Sequence, residues 1–153
     1  MTPEKAAKFL GIARAVSELS KDKRTKIGAV AIGPAGEVRA MGYNGFPRGC
    51  NDDDLERHER PAKYLWTEHA ERNLIYNAAR VGVPLEGCIM VVTGIFPCMD
   101  CARGIVQAGF RTVVTDAQHN ERWAESNIKA MELFDEVGVE VYRVALDTTE
   151  THK

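Results

Sequence analysis

The sequence predicts an α/β fold of three layers (α/β/α), in which helices cover both faces of one five-stranded mixed sheet. Helical and strand-like segments follow the order α-β-β-α-β-α-β-α-β along the 153 residues. The first two strands are close enough in the chain to form a hairpin. After that hairpin, strands alternate with helices. Such alternation favours right-handed parallel crossovers, which place helices on both sides of the sheet.

The first part of the chain predicts a helix, a basic loop and the hairpin. Thr2 and Pro3 are typical of a helix start, and apolar residues recur at helical spacing up to residue 19. Residues 20–26 form a polar loop with four basic side chains. Short apolar segments at 27–32 and 37–43 then predict two strands around a turn that contains proline and glycine.

The middle of the chain combines a glycine-rich loop with the second helix. Residues 42–54 are first glycine-rich and then acidic, and 55–66 are interpreted as a polar connector. We expect the helix at 67–81, with Thr67 as its cap and Glu68 as a favourable acidic residue in its first turn.

The last part of the chain supplies the remaining strands and helices. In order, we expect a buried strand at 88–93, a helix at 98–108, a short strand at 112–114, a helix at 121–137, a last strand at 139–144 and a frayed tail at 147–153.

Composition limits the class of protein. The length suits one domain over residues 1–153, and 44% apolar with 27% charged residues is ordinary for a globular chain. The formal net charge of −2 makes a broad nucleic-acid surface unexpected. Four cysteines do not make a disulfide framework, and neither a signal peptide nor a membrane-spanning run is evident. We therefore expect a cytoplasmic protein with reduced thiols and no membrane partner.

Two short motifs, at 69–71 and 97–101, carry the clearest chemistry. His69, Cys98 and Cys101 supply one imidazole and two thiolates, which suit a tetrahedral zinc ion. The two cysteines are three residues apart, so they face the same way on one helical turn, and a helix start favours their thiolate forms. Three protein ligands leave the fourth position for water, and Glu71 would move protons beside it. The pattern H-x-E followed by P-C-x-x-C is characteristic of the zinc nucleobase deaminases.

Other interpretations of these residues remain open. A C-x-x-C pair also occurs at redox sites and in structural zinc sites. A closed structural site would make the chain a non-enzymatic binding module, and it would need a fourth protein ligand. Neither alternative requires the carboxylate of Glu71.

The chain resembles the deoxycytidylate (dCMP) deaminases of the cytidine deaminase-like superfamily over about residues 20–144. The zinc motif alone is shared by the whole superfamily, whereas the loop Gly42-Tyr43-Asn44-Gly45 points to the dCMP branch. The segments that carry the resemblance are 20–22, 27–29, 42–53, 69–73, 96–102 and 107–109.

The resemblance implies a zinc-dependent homo-oligomer, dimeric or hexameric, that hydrolyses dCMP to dUMP and ammonia. Glu71 would be the catalytic acid and base, and His69, Cys98 and Cys101 would hold Zn²⁺. The resemblance also implies activation by dCTP with Mg²⁺ and inhibition by dTTP. The candidates for this allosteric site are Gly45, Asn51, Asp52 and Asp53.

Substrate contacts are expected from residues next to the two zinc motifs and from the loops that precede them in the chain. By its position in the resemblance, Asn44 would meet the deoxyribose, and Ala70 is a further candidate for substrate binding. Phe96 is expected either to pack on the base or to belong to the core. A monophosphate needs a nearby cation, and Arg24 and Lys26 in the basic loop are the candidates, with Arg48 as a third. A zinc deaminase that acts on a free base, a nucleoside or tRNA remains the alternative.

Overall fold

The computed structural model of the protein describes residues 1–118 and 120–145. The tail predicted at 147–153 lies outside them. The helices and strands are α1 (Pro3–Ser17), β1 (Gly28–Ile32), β2 (Val38–Tyr43), α2 (Lys63–Trp66), α3 (Ala70–Val81), β3 (Ile89–Thr93), α4 (Met99–Gln107), β4 (Thr112–Thr115), α5 (Ala124–Val137) and β5 (Glu140–Arg143). No helix of these two described ranges is both long and apolar enough to cross a lipid bilayer.

The sheet has the strand order β2-β1-β3-β4-β5. β1 lies between β2 and β3 and is antiparallel to both, while β3, β4 and β5 are parallel. Val30 in β1 lies opposite Met41 in β2 and Val91 in β3, so these three residues form one row across the sheet. The five-stranded mixed sheet confirms the predicted fold class, including the hairpin and the later crossovers.

Helices cover both faces of this sheet, because side chains on a strand alternate between its two faces. On one face, α1 buries Leu10 and Val16 against Val30 and Val91. On the other face, α3, α4 and α5 pack around a larger core. Its buried residues include Leu74, Ala78, Met90, Val92, Phe96, Ile105 and Phe134.

Two glycines set how closely helices approach the sheet. A Cβ atom on Gly42 in β2 would lie 2.4 Å from the backbone nitrogen of Leu74 in α3. A Cβ atom on Gly28 in β1 would lie 2.0 Å from the carbonyl oxygen of Ala13 in α1. Any side chain at either position would push the helix off the sheet, so glycine is required by the close contact.

The prediction that the second helix begins at Thr67 is wrong by three residues. α3 begins at Ala70, and His69 is its N-terminal cap residue. The amide of Glu68 donates to the carbonyl of Gly45 at 2.8 Å, and the amide of Gly45 donates back at 3.1 Å. This pairing with the glycine-rich loop holds the residues before His69 in an extended bridge instead of a helical turn.

Two irregular segments also differ from the predicted elements. The connector at 55–66 contains a 3-10 turn, Leu55–His58, and the short helix α2. The helix expected from residue 121 begins with a 3-10 turn, Glu121–Trp123, and becomes α-helical at Ala124. Both segments lie beside the cavity described next.

Candidate active site

The three predicted metal ligands meet where α3 and α4 begin. His69 and Cys98 are the N-terminal cap residues of the two helices, and Cys101 lies one turn into α4. The Nδ1 atom of His69 lies 3.4 Å from the Sγ atom of Cys98 and 3.4 Å from that of Cys101. All three ligand atoms lie within 4.8 Å of one another. Two helix N-termini therefore converge on one point.

The donor set and its spacing fit zinc. With zinc–nitrogen and zinc–sulfur bonds of about 2.0 and 2.3 Å at tetrahedral angles, nitrogen and sulfur ligands lie about 3.5 Å apart. The observed separations of 3.4 Å are close to that spacing. Within residues 1–118 and 120–145, this is the only group of three or more histidine, cysteine or acidic side chains close enough to share an ion.

Glu71 lies beside this cluster and is almost inaccessible to solvent, with 2% of its surface exposed. It lines the same cavity as His69 and Cys98. Burial raises the pKa of Glu71, so its carboxylate accepts a proton more readily than an exposed one would. A hydrogen bond from the Cys101 thiol lowers the pKa of Cys98 to about 4, so this thiol is readily a thiolate. The site thus combines a thiolate that can bind a metal ion, Cys98, with a buried carboxyl group that can accept and release protons, Glu71.

The cavity extends outward from this cluster to the protein surface. Its inner wall contains Phe96, which like Glu71 is 2% exposed, whereas Tyr64 at its rim is 48% exposed. The remaining lining residues are Asp22, Thr25, Ile27, Asn44, Arg60, Lys63, Thr67, His69, Ile95, Cys98, Arg122 and Trp123. A small molecule could enter from the rim and reach the cluster with one end.

Comparison with known proteins identifies the family. Residues 3–117 match the family described as the cytidine and deoxycytidylate deaminase zinc-binding region. The chain belongs to this deaminase family. Zinc is therefore the metal that His69, Cys98 and Cys101 are suited to hold.

Individual relatives agree with this family. An uncharacterized deaminase of the luxG 3′ region of Aliivibrio fischeri is 39% identical over 145 residues, which cover 93% of this chain and 95% of the relative. Human deoxycytidylate deaminase is 35% identical over 138 residues, 86% of this chain and 74% of that protein. The dCMP deaminase of cyanophage S-TIM5, solved in complex with dCMP and dUMP, matches with a TM-score of 0.77 and 28% identity over 94% of this chain and 99% of that one.

Three residues predicted to contact the substrate lie close to the deaminase cavity or in its wall. Asn44 lines the cavity, but its side chain is already hydrogen-bonded: Oδ1 accepts from the amide of Ile27 at 2.9 Å, and Nδ2 donates to the carbonyl of Thr25 at 2.8 Å. Ala70 is fully buried at the start of α3. Phe96 lines the cavity and also packs edge-on against a core phenylalanine, so it belongs to both.

The predicted phosphate contacts are not brought to the cavity. Arg24 pairs with Glu59 at 3.3 Å, and Lys26 lies 3.9 Å from Glu18. Neither basic residue belongs to the cavity wall. Arg48, the third candidate, donates to a side-chain amide on α3 at 2.6 Å and lines a different cavity. The loop looked like a free set of cations in the sequence, because the carboxylates that pair with it are distant in the chain.

Several residues of the cavity were not expected from the sequence. Lys63 in α2 is buried and pairs with Asp22 at 2.7 Å, and both line the cavity. Burial would raise the pKa of Asp22, but hydrogen bonds from Lys63 and from two backbone amides outweigh it and lower that pKa. The other unexpected lining residues are Arg60, Tyr64, Arg122 and Trp123. The available signal in the sequence was an arginine shortly before an aromatic residue in both segments, Arg60 before Tyr64 and Arg122 before Trp123.

The allosteric candidates lie along the glycine-rich loop, outside the deaminase cavity. Asp52 pairs with Lys21 at 2.7 Å, and the side chain of Asn51 accepts from the amide of Asp53 at 3.0 Å. Gly45 and Asp52 line a second cavity next to the first one. Asp22, Asn44 and Thr67 line both cavities, so the two share a wall.

Proposed function

We propose that residues 1–153 form one deaminase domain that hydrolyses dCMP to dUMP and ammonia with zinc as its cofactor. The observation that carries this proposal is the buried Glu71 in the same cavity as the His69, Cys98 and Cys101 cluster. The choice of dCMP is supported by relatives that are named deoxycytidylate deaminases, one of them solved with dCMP and dUMP.

The residues of the cavity account for each proton in this reaction. Zinc held by His69, Cys98 and Cys101 would supply a Lewis acid, which lowers the pKa of water to about 7. Glu71 takes a proton from the attacking water and gives it to N3 of the cytosine ring. The water oxygen bonds to C4. Glu71 then takes the second proton from this oxygen and passes it to the amine as the C4–N4 bond breaks, so that the C4 carbonyl forms and the amine leaves as ammonia. One carboxyl group can do both tasks because burial keeps its proton affinity high.

A substrate panel tests the proposal. Ammonia release would be measured with cytidine, dCMP, dCTP, guanine and tRNA, and we expect dCMP to be used best. A protein that prefers tRNA or a free base would contradict the choice of substrate but not the chemistry. A protein that releases no ammonia from any of them would favour the non-enzymatic zinc module.

Glu71→Gln tests the assigned catalytic role. We expect the variant to keep its zinc and to lose nearly all turnover, because the amide cannot accept the proton of the attacking water. Glu132→Gln is the control, since Glu132 is exposed on α5 and pairs with Lys129 at 3.0 Å instead of lining this cavity. Near-normal turnover of Glu71→Gln with bound zinc would refute the role.

The proposal also includes regulation, assembly and location. We propose that dCTP with Mg²⁺ activates and dTTP inhibits through Gly45, Asn51, Asp52 and Asp53, in a cytoplasmic homo-oligomer. The second cavity beside the active site supports this position for an effector. Kinetics of dCMP turnover with and without each nucleotide would test the regulation, and light scattering would test the assembly by measuring the mass of the oligomer. Unchanged kinetics would remove the regulatory part alone.

A further inference from the structure

Two segments that are distant in the chain meet at the rim of the active-site cavity. Tyr64 of α2 and Trp123 of the 3-10 turn before α5 contact each other edge-on, with ring centroids 6.4 Å apart. Trp123 also lies edge-on to His69, with ring centroids 5.9 Å apart. This aromatic contact brings Arg60, one turn before Tyr64, and Arg122, next to Trp123, into the wall of one cavity.

The two arginines differ from the other basic residues around the site in having no carboxylate partner. Within residues 1–118 and 120–145, neither Arg60 nor Arg122 forms an ion pair, and both are exposed. Arg60 lies 6.0 Å from the centre of the Tyr64 ring. By contrast, the ammonium group of Lys63 is already neutralised by Asp22 at 2.7 Å, although it lines the same cavity.

An anion is the ligand that fits this rim. A guanidinium group presents a planar fork of donors that matches two oxygens of a phosphate, and it stays charged at every physiological pH. The inner end of the cavity holds the zinc ligands and Glu71, which act on the base. A nucleotide whose base enters first would leave its charged end toward the exposed rim.

We propose that Arg60 and Arg122 together bind the 5′-phosphate of the nucleotide substrate, and we call them the arginine clamp. This inference rests on the proposed function and adds the group that selects a nucleotide over a nucleoside. It replaces the predicted role of Arg24 and Lys26, which are paired with Glu59 and Glu18. The clamp is assembled by tertiary contact, since one arginine precedes α2 and the other precedes α5.

The test compares Arg60→Gln, Arg122→Gln and the double variant with the wild-type protein. The KM and kcat for dCMP would be measured, together with kcat/KM for deoxycytidine, which has the same base and sugar without the phosphate. We expect each variant to raise the KM for dCMP at least about 10-fold, since a hydrogen bond to a charged group is worth about 1.5–3 kcal/mol. The kcat and the zinc content should change little, and kcat/KM for deoxycytidine should stay near the wild-type value. Arg111→Gln is the matched control, because Arg111 donates to Gly87 at the opposite end of the sheet.

The outcomes separate this inference from the proposed function. A wild-type protein that does not deaminate dCMP overturns the proposed function before any variant is made. A normal wild-type protein whose KM for dCMP is unchanged in the double variant overturns the clamp alone. Arg24→Gln and Lys26→Gln are measured in the same assay, and the clamp is equally overturned if the rise in KM for dCMP is confined to these two variants.

Discussion

The carboxylate of Asp116, just after β4, joins three parts of the chain. Its oxygens accept hydrogen bonds from the hydroxyl of Thr93 at 2.9 and 3.0 Å and from the amide of Gly94 at 3.0 Å. The guanidinium of Arg14 in α1 lies 2.8 Å from the same carboxylate. Gly94 begins the loop that leads to Cys98. We therefore predict that Asp116→Ala weakens both the folded state and the zinc site.

The expected loss in the free energy of unfolding follows from how far the side chains of Asp116 and Arg14 are exposed to solvent. Asp116 is only 6% exposed, so Thr93 and Gly94 would lose their acceptor without gaining full contact with water. Two hydrogen bonds to a charged group, each worth about 1.5–3 kcal/mol, predict a loss of about 3–6 kcal/mol. The side chain of Arg14 is 50% exposed, so its pair with Asp116 is largely solvated and adds about 1 kcal/mol or less.

Denaturant unfolding of the zinc-loaded protein would measure these losses, with zinc content determined on the same samples. Asp116→Ala should lose about 4 kcal/mol and Arg14→Ala about 1 kcal/mol. Asp116→Asn should lie between them, because it retains one acceptor oxygen. The reasoning is refuted if Asp116→Ala is within about 1 kcal/mol of the wild type, or if Arg14→Ala is as costly.

Two further perturbations test how the cavity and the sheet are held together. Asp22→Asn should lower the free energy of unfolding by on the order of 3 kcal/mol at pH 7, because it leaves the buried Lys63 unpaired. Since the pKa of Asp22 is lowered from 3.8 in the folded state, this difference should shrink as the pH falls through the acidic range below 3.8; a constant difference would contradict it. Gly42→Ala should lower the melting temperature strongly because its Cβ would lie 2.4 Å from Leu74, whereas Gly11→Ala, with open space in α1, should stabilise by about 0.5–1 kcal/mol. Similar effects of the two glycine variants would refute the close-contact argument.

The sequence predicted what depends on short-range pattern. The sequence predicts a first helix over about 3–19 and a third helix at 98–108, and α1 and α4 lie within two residues of those limits. The meeting of His69, Cys98 and Cys101 also follows from local rules, because two helices that begin at the same edge of one sheet have their first residues close together. The spacing of the two motifs was therefore enough to predict the metal ligands and Glu71 at the inner end of the cavity.

The rim could not be predicted in the same way, because long-range pairs build it. Lys63 looked like an exposed residue of a polar connector, yet Asp22, forty-one positions earlier, draws it into the cavity wall. Arg24 looked free, yet Glu59 neutralises it. Thr67 looked like a helix cap until Gly45 paired with its neighbour in a bridge. In each case the partner that decides the outcome is distant in the sequence and carries no local signal.

This division between the two ends of the cavity has a consequence for substrate choice. The inner end offers one imidazole, two thiols and a buried carboxyl group. In the proposed function these groups act on the amidine of the base, whereas the phosphate would lie at the rim. Selection between a base, a nucleoside and a nucleotide must therefore come from residues at the outer end, where Arg60 and Arg122 supply unpaired positive charge. Changes at the rim should alter which cytosine compound is used while the chemistry at Glu71 stays the same.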